Sequence, residues 1–408
     1  MTGVAAETRL VRSHGVTAPA GFRATAIAAG IKASGALDLA LVFNEGPSYC
    51  ASGVFTRNQV KAAPVRWTRQ VQTSGRLRAV ILNSGGANAC TGPQGLADTQ
   101  ATAEAVAGAL SDRGNQTEAI EVAVCSTGLI GDRLPMDKVL AGVQLIVHEM
   151  AGGRTGGEEA ARAIMTTDTV PKLVALQHSI GTRDNWTVGG MAKGAGMLAP
   201  SLATMLCVLT TDAVADAAAL DRALRRATEL TFDRLDIDGC TSTNDTVLLL
   251  ASGASGKAPS QDDLDDAVLR VCDDLAAQLQ ADAEGVTKRI TVTVTGAPTE
   301  ADALTIARTV ARNNLVMAAM FGSDPNWGRV VAAVGIAPVT VDPDRIRVSF
   351  NGFPVCIDGV GVPGAREVDL SGADIGVTID LGLGAQQAFI RTTDLSHGYV
   401  EENSAYSS

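Results

Sequence analysis

Aromatic residues are scarce in this 408-residue chain: they make up 3% of it, as three tryptophans, three tyrosines and eight phenylalanines. A surface that stacks nucleic-acid bases needs aromatic platforms and cations. The chain is short of both, with 33 basic against 44 acidic residues and a net charge of −11. That surplus of negative charge also repels anionic membranes, so neither nucleic acid nor a membrane is an expected partner. Only four histidines occur, His14, His148, His178 and His397, with no HxH or HxxxH spacing, so no metal site is expected. Seven cysteines (Cys50, Cys90, Cys125, Cys207, Cys240, Cys272, Cys356) are scattered without a CxxC pair, which reads as reduced thiols in a cytoplasmic protein. The longest near-apolar run, MLAPSLATMLCVL, is too short for a bilayer and contains Pro200, Ser201 and Thr204. The first residues lack an apolar core and carry Glu7, so a signal peptide is not expected.

What is present is 46% apolar residues and 43 glycines, which points to an Ala/Val/Leu-packed interior with many tight turns. At about 150 residues per domain, the length suits two to three domains or one interleaved α/β unit. Short β-rich runs alternate with helical ones. LRAVILN (Leu77–Asn83) and IEVAVCS (Ile120–Ser126) read as strands, each followed by a helical segment. MLCVLTTDA, TVLLLASG and RITVTVTG read as strands after the midpoint, separated by helices at AALDRALRRATELTFDRL and QDDLDDAVLRVCDDLAAQLQADAEG. RIRVSFNGFPVCID and IGVTIDLGL look hairpin-like, so the second half is expected to be the more antiparallel. The fold class is α/β, with layered sheets and helices.

Common catalytic devices are missing. GVGVPG (Gly359–Gly364) fits G-x-G-x-x-G, but Pro363 and the residues after it open no helix, so it reads as a turn. No GK[ST] and no G-x-S-x-G occurs. The unusual stretch is WTVGGMAKGAGMLAPSLATMLCVLTTDA (Trp186–Ala213), with four glycines around Lys193 and Ala203–Thr204 at the mouth of a strand. By pattern alone this is a glycine-rich loop with Thr204 as the first strand residue. The other reading makes Thr204 a self-activating nucleophile. Its hydroxyl attacks the Ala203 carbonyl, an N→O shift gives an ester, and water splits the chain. The freed α-amine has a pKa near ~8, against ~10.4 for lysine, and can serve as general base without any histidine.

These residues resemble the ornithine acetyltransferase (ArgJ) family. The blocks that carry the resemblance are MAKGAGMLAPSLATMLCVLTTDA, LNSGGANACTG, AVCSTGLIG, MTTD (Met165–Asp168), DIDGCTSTND (Asp236–Asp245), FGSDPNWGR and the terminal YVEENSAYSS, in family order along the chain. The resemblance implies an ArgJ/DmpA-like self-cleaving fold with interleaved α and β chains, residues 1–203 and 204–408, assembled as an α2β2 heterotetramer. It implies cleavage between Ala203 and Thr204, with Thr204 as nucleophile and Thr127 with Gly128 as oxyanion hole. Substrate contacts are implied for Thr166 (Thr167 is the neighbour it could be confused with), Lys193, Glu284, Asn403 and Ser408, besides Thr204. Lys193 would hold a carboxylate or keep the Thr204 amine neutral by repulsion, and Glu284 would take an ammonium group. The implied activity is glutamate N-acetyltransferase. Acetyl would move from N-acetylornithine to glutamate through acetyl-threonine, with no metal or organic cofactor. Acetyl-CoA is a second candidate donor, although no CoA motif is readable. Two alternatives remain at this stage: an aminopeptidase or amidohydrolase of the same fold, and a non-catalytic scaffold.

Overall fold

The computed structural model describes residues 7–150, 156–179, 185–198 and 205–405. The chain divides into two compact units, one built from residues 1–195, 201–233 and 241–279, the other from residues 196–200, 234–240 and 280–408.

The first unit carries ten strands: β1 (Glu7–Val11), β2 (Phe22–Ile27), β3 (Leu39–Asn44), β4 (Cys50–Phe55), β5 (Ala79–Ser84), β6 (Val122–Thr127), β7 (Lys172–Ser179), β8 (Trp186–Lys193), β9 (Leu206–Thr211) and β10 (Thr246–Ala251). They form a six-stranded sheet in the order β1-β7-β8-β9-β10-β4 and a four-stranded sheet in the order β2-β3-β5-β6. Helices α1 (Ala63–Gln72), α2 (Gly92–Ser111), α3 (Met136–Glu149), α4 (Gly157–Ala163), α5 (Ala217–Leu230) and α6 (Gln261–Ala281) complete it. β9 and β10 are buried along their whole length, which is why LCVLTT and TVLLLA show no polar alternation. α5 starts where Asp216 accepts the Ala219 N–H, and its apolar stripe is Leu220, Ala223, Leu224 and Ala227.

The second unit holds β11 (Arg289–Ala297), β12 (Arg347–Phe350), β13 (Phe353–Ile357), β14 (Val360–Gly361), β15 (Asp374–Asp380) and β16 (Gln386–Thr393). Their order is β14-β13-β12-β15-β11-β16. α7 (Glu300–Ala311), α8 (Asn314–Phe321), α9 (Trp327–Gly335) and α10 (His397–Ala405) belong to the same unit. β11 buries alternate residues, the period-2 pattern that RITVTVTG announces. GVGVPG is the short β14 and its turn, with Gly359 and Gly364 at positive φ.

The layered α/β reading and the interleaving are borne out. β8, from before position 203, pairs antiparallel with β9 from after it, and β4 pairs with β10. Two expectations are corrected. The first is the glycine-rich loop around Lys193, which is strand β8 over Trp186–Lys193. Its glycines answer to packing: a Cβ on Gly189 would lie 2.0 Å from the Gly15 carbonyl oxygen, and one on Gly190 would lie 2.6 Å from the Leu209 side chain. The second is the antiparallel bias of the second half. The six-stranded sheet of the first unit is antiparallel except for β9–β10, and that of the second unit is antiparallel except for β11–β15. Among the described residues, no helix is long and apolar enough to cross a membrane.

One buried carboxylate shapes the loop between β2 and β3. Asp38 is fully buried and accepts the N–H groups of Ala29 (2.6 Å), Ile31 (2.6 Å) and Lys32 (2.9 Å). Lys32, held in that loop, donates to the carbonyl oxygens of Leu37 (3.0 Å) and Met165 (2.8 Å). Asp38→Ala strips three partly buried donors of their acceptor and is expected to cost about 3 kcal/mol. A lower urea midpoint at unchanged slope is the signature, and an unshifted midpoint would show that water replaces the carboxylate.

Candidate active site

Thr127 and Gly128 lie at the end of β6, where the chain leaves the four-stranded sheet. The Gly86 N–H donates to the Thr127 carbonyl oxygen (3.1 Å). The Thr127 side chain is 3% exposed, and its hydroxyl makes no hydrogen bond among the described residues. Gly128 has φ +128°, and a Cβ there would come within 2.6 Å of Gly86 N and 2.7 Å of Gly85 C. Backbone cannot step aside, so only glycine fits. Among the described residues, the turn therefore sets a hydroxyl without a hydrogen-bond partner beside a glycine backbone, two kinds of group that can donate to an anionic oxygen.

Thr166 and Lys193 meet in the same unit. Lys193 is 2% exposed, so it is no solvated loop lysine, and its Nζ donates to Thr166 Oγ1 at 2.7 Å. Between them sits Asp168. Its Oδ1 accepts from Lys172 Nζ (2.6 Å) and Gly194 N (2.7 Å), its Oδ2 accepts from Thr166 N (3.0 Å), and Lys193 Nζ lies 3.7 Å from Oδ2. Burial alone pushes this carboxyl up. The charges of Lys193 and Lys172 and the bonds from Lys172 and Gly194 outweigh it and hold it well below the usual range. Lys32 is half-buried close by; burial pushes its pKa down, Asp38 opposes this and Lys193 adds to it. The sequence named Lys193 and Thr166 but missed Asp168 and Lys172. The MTTD block held the former in plain sight, but nothing local says that its carboxylate carries two lysines.

Glu284 and Asn403 meet in the second unit. The terminal segment is helix α10, and Asn403 on it donates from Nδ2 to Glu284 Oε2 (2.9 Å) and to the Tyr399 carbonyl oxygen (2.9 Å). Glu284 also lies flat on the GAGM segment: a Cβ on Gly196 would be 2.4 Å from Oε2 and 2.6 Å from Cδ. Met197 N donates to Asp238 Oδ2 at 2.6 Å. Asp238 and Tyr399 line a cavity of about 180 Å³ together with Ile237, Arg312, Asn314 and Asp394. Burial raises the Asp238 carboxyl against three backbone N–H bonds, and the Glu284 charge adds to the rise. Burial, Asp238 and Glu284 push the Tyr399 phenol to about 12. A region this rich in acceptors favours an ammonium group. Asp238 and Tyr399 were not singled out by sequence. Ala203, Thr204 and Ser408 lie outside the described residues.

The seven cysteines are free thiols, and the buried ones have no nucleophilic character: burial pushes Cys125 up to about 12. Asp168→Asn leaves two buried ammonium groups without their shared counter-charge and is expected to cost about 3–5 kcal/mol at pH 7. Because the folded state favours the ionised carboxyl, its contribution is present above the ordinary aspartate pKa near ~3.9 and fades as the pH falls below it. The gap between parent and variant in urea unfolding should therefore narrow below about pH 4, and a pH-independent gap would exclude the ionised pair as its source.

The ArgJ family model matches residues 23–408. The arginine biosynthesis bifunctional protein ArgJ of Mycobacterium tuberculosis (strain ATCC 25618 / H37Rv) is 78% identical over 408 residues, covering all of both chains. Its counterpart in Streptomyces coelicolor is 58% identical over 394 residues, 96% of this chain and 100% of that one. Among solved structures, ornithine acetyltransferase from Mycobacterium tuberculosis complexed with ornithine matches at 77% identity over 49% of this chain and 100% of that chain, with a TM-score of 0.46. On the family match and the full-length identity, the chain belongs to the ArgJ family.

Proposed function

We propose that this enzyme of the ArgJ family is a self-cleaving acetyltransferase of arginine biosynthesis that moves acetyl from N-acetylornithine to glutamate. The observation that carries the reading is the family match over residues 23–408, which spans every block quoted above. The Thr127–Gly128 turn supports it, because its hydroxyl, without a hydrogen-bond partner among the described residues, and its glycine backbone suit a developing oxyanion.

Cleavage between Ala203 and Thr204 yields chains 1–203 and 204–408 and frees the Thr204 α-amine. That amine accepts the hydroxyl proton as Thr204 attacks the acetyl carbonyl of N-acetylornithine. The tetrahedral oxyanion is stabilised by the Thr127 hydroxyl and the Gly128 N–H. Ornithine departs with the proton held on the Thr204 amine, leaving an acetyl ester on Thr204. The glutamate amine then attacks the ester and gives its proton to the Thr204 amine, the oxyanion forms in the same hole, and N-acetylglutamate leaves as that proton returns to the Thr204 oxygen. Substrate contacts come from Thr166, Lys193, Glu284, Asn403 and Ser408. Lys193, buried against Thr166, suits a carboxylate, and Glu284 suits an ammonium group. Acetyl-CoA as a second donor, and an α2β2 assembly of cleaved chains in the cytoplasm, complete the proposal.

Purified protein is expected to run as two bands of similar size on a denaturing gel, the second with Thr204 at its N-terminus. Thr204→Ala should give one uncut chain without transferase activity; a cut variant would assign the nucleophile elsewhere. Acetyl release from N-acetylornithine should require glutamate, and release in its absence would favour an amidohydrolase. Thr127→Ala should lower kcat ten- to a thousandfold, roughly one oxyanion donor, with KM for N-acetylornithine nearly unchanged. A rise in KM alone would make Thr127 a binding residue.

A further inference from the structure

The DIDGCTSTND block has no part in the mechanism above, yet it ends in two buried polar residues of the first unit, Asn244 at 4% and Asp245 at 0% exposure. A buried amide must place both of its N–H bonds. Asn244 Nδ2 gives them to the carbonyl oxygens of Ala87 (2.6 Å) and Ser126 (2.8 Å). Its Oδ1 accepts the Thr243 hydroxyl at 2.6 Å. Ser126 is the residue before Thr127. The neighbouring side chain reaches another strand: Asp245 Oδ1 accepts the Met205 N–H at 3.1 Å, and Met205 is the residue after Thr204. The backbone around the pair is tied down as well. Thr246 N donates to the Met205 carbonyl (3.0 Å), Thr56 N to the Asp245 carbonyl (3.0 Å) and Ala62 N to the Thr243 carbonyl (3.0 Å).

The topology gives this arrangement its meaning. β6, which ends in Thr127, belongs to the four-stranded sheet, and β9, which begins two residues after Thr204, belongs to the six-stranded sheet. Among the described residues, no strand ladder joins the two. Packed sheets are joined by side chains, whose contacts fix a separation less sharply than a hydrogen-bond register does. A nucleophile and its oxyanion donors tolerate an error of only about 0.5–1 Å.

We propose that Asn244 and Asp245 are positioning residues that set the nucleophile-to-oxyanion distance, one gripping the residue before Thr127 and the other the residue after Thr204. The inference rests on the reading of Thr204 as nucleophile and Thr127 as oxyanion donor, and it extends to both reactions, self-cleavage and acetyl transfer. Asp245 does this without needing its charge. Burial pushes its carboxyl well above the ordinary range, against the Met205 N–H bond and the more distant Lys193 charge. An asparagine in its place keeps an acceptor oxygen for Met205.

Side-chain exchanges in the full chain test this, and two of them, Asn244→Asp and Asp245→Asn, are isosteric. Asn244→Asp replaces the two donors by a carboxyl facing two carbonyl oxygens. It should slow self-cleavage and lower kcat of the cleaved fraction about 100-fold, with KM for N-acetylornithine within about twofold. Asp245→Asn should stay within about fivefold of the parent in both reactions, whereas Asp245→Ala should fall with Asn244→Asp. Combining Asn244→Asp with Asp245→Ala should lose no more than the worse single change, because both act on one distance. Should Asn244→Asp fail to fold, Asn244→Ser, which introduces no charge, reads the same split between kcat and KM. The proposal is overturned if the folded Asn244 variant keeps the parent's kcat, or if Asp245→Asn is as damaged as Asp245→Ala. Thr204→Ala run alongside separates the two layers. A cut, active Thr204→Ala protein removes the nucleophile itself, while an inert one beside a fully active Asn244→Asp removes only the positioning role.

Discussion

A carboxylate cut off from water has to be enclosed by donors, and Asp168 gathers a backbone N–H from Thr166, another from Gly194, and the ammonium groups of Lys172 and Lys193. Each of these pins a different stretch of chain. Thr166 is fixed in its loop, Lys172 anchors the start of β7, and Gly194 with Lys193 fixes the end of β8. The centre carries one negative and two positive charges, and Lys32 adds a third cation at the margin. In the first unit, therefore, the implied substrate contacts Thr166 and Lys193 inherit their positions from a single acid. In the second unit the polarity is reversed: the Glu284 charge acts on both Asp238 and Glu402, and burial with that charge raises both carboxyls.

Much of this was legible in the sequence, and the reason is local. α5, α6 and β11 declare themselves by periodicity, because each buries one face, and β9 and β10 by short unbroken apolar runs, because they are buried along their whole length. The Thr127–Gly128 turn and the tail residue Asn403 stand out in the sequence through the ArgJ-like blocks that hold them, and the structure brings Asn403 onto Glu284. β8 was not legible. Its glycines read as turn formers, but the groups that forbid a side chain there, the Gly15 carbonyl and the Leu209 side chain, come from distant positions. α7 to α9 carry too many small residues for a sharp apolar stripe and received no assignment.

The quoted blocks share a physical logic that spacing does not reveal. LNSGGANACTG, AVCSTGLIG and the end of DIDGCTSTND are far apart along the chain yet bonded to one another. The Ser126 hydroxyl donates to Asn83 Oδ1 (2.6 Å), Ala87 N to the Leu129 carbonyl (2.8 Å), and Asn244 to Ala87 and Ser126. FGSDPNWGR serves differently, since Asn326 caps α9 and Trp327 packs where a Cβ on Gly361 would intrude.

The ladder between β8 and β9 runs from Val188↔Thr211 to Lys193↔Leu206, so a break in the chain between them leaves the two pieces stitched through the middle of one sheet. Before the break, folding is a unimolecular search in which the connecting segment keeps the two strands together. In a chain cut as proposed, the same ladder would have to be rebuilt by two separate molecules meeting, and the midpoint of unfolding would depend on protein concentration. Such a cut protein would be assembled once and persist by the slowness of its unfolding, so that its working lifetime would be a rate and not an equilibrium constant.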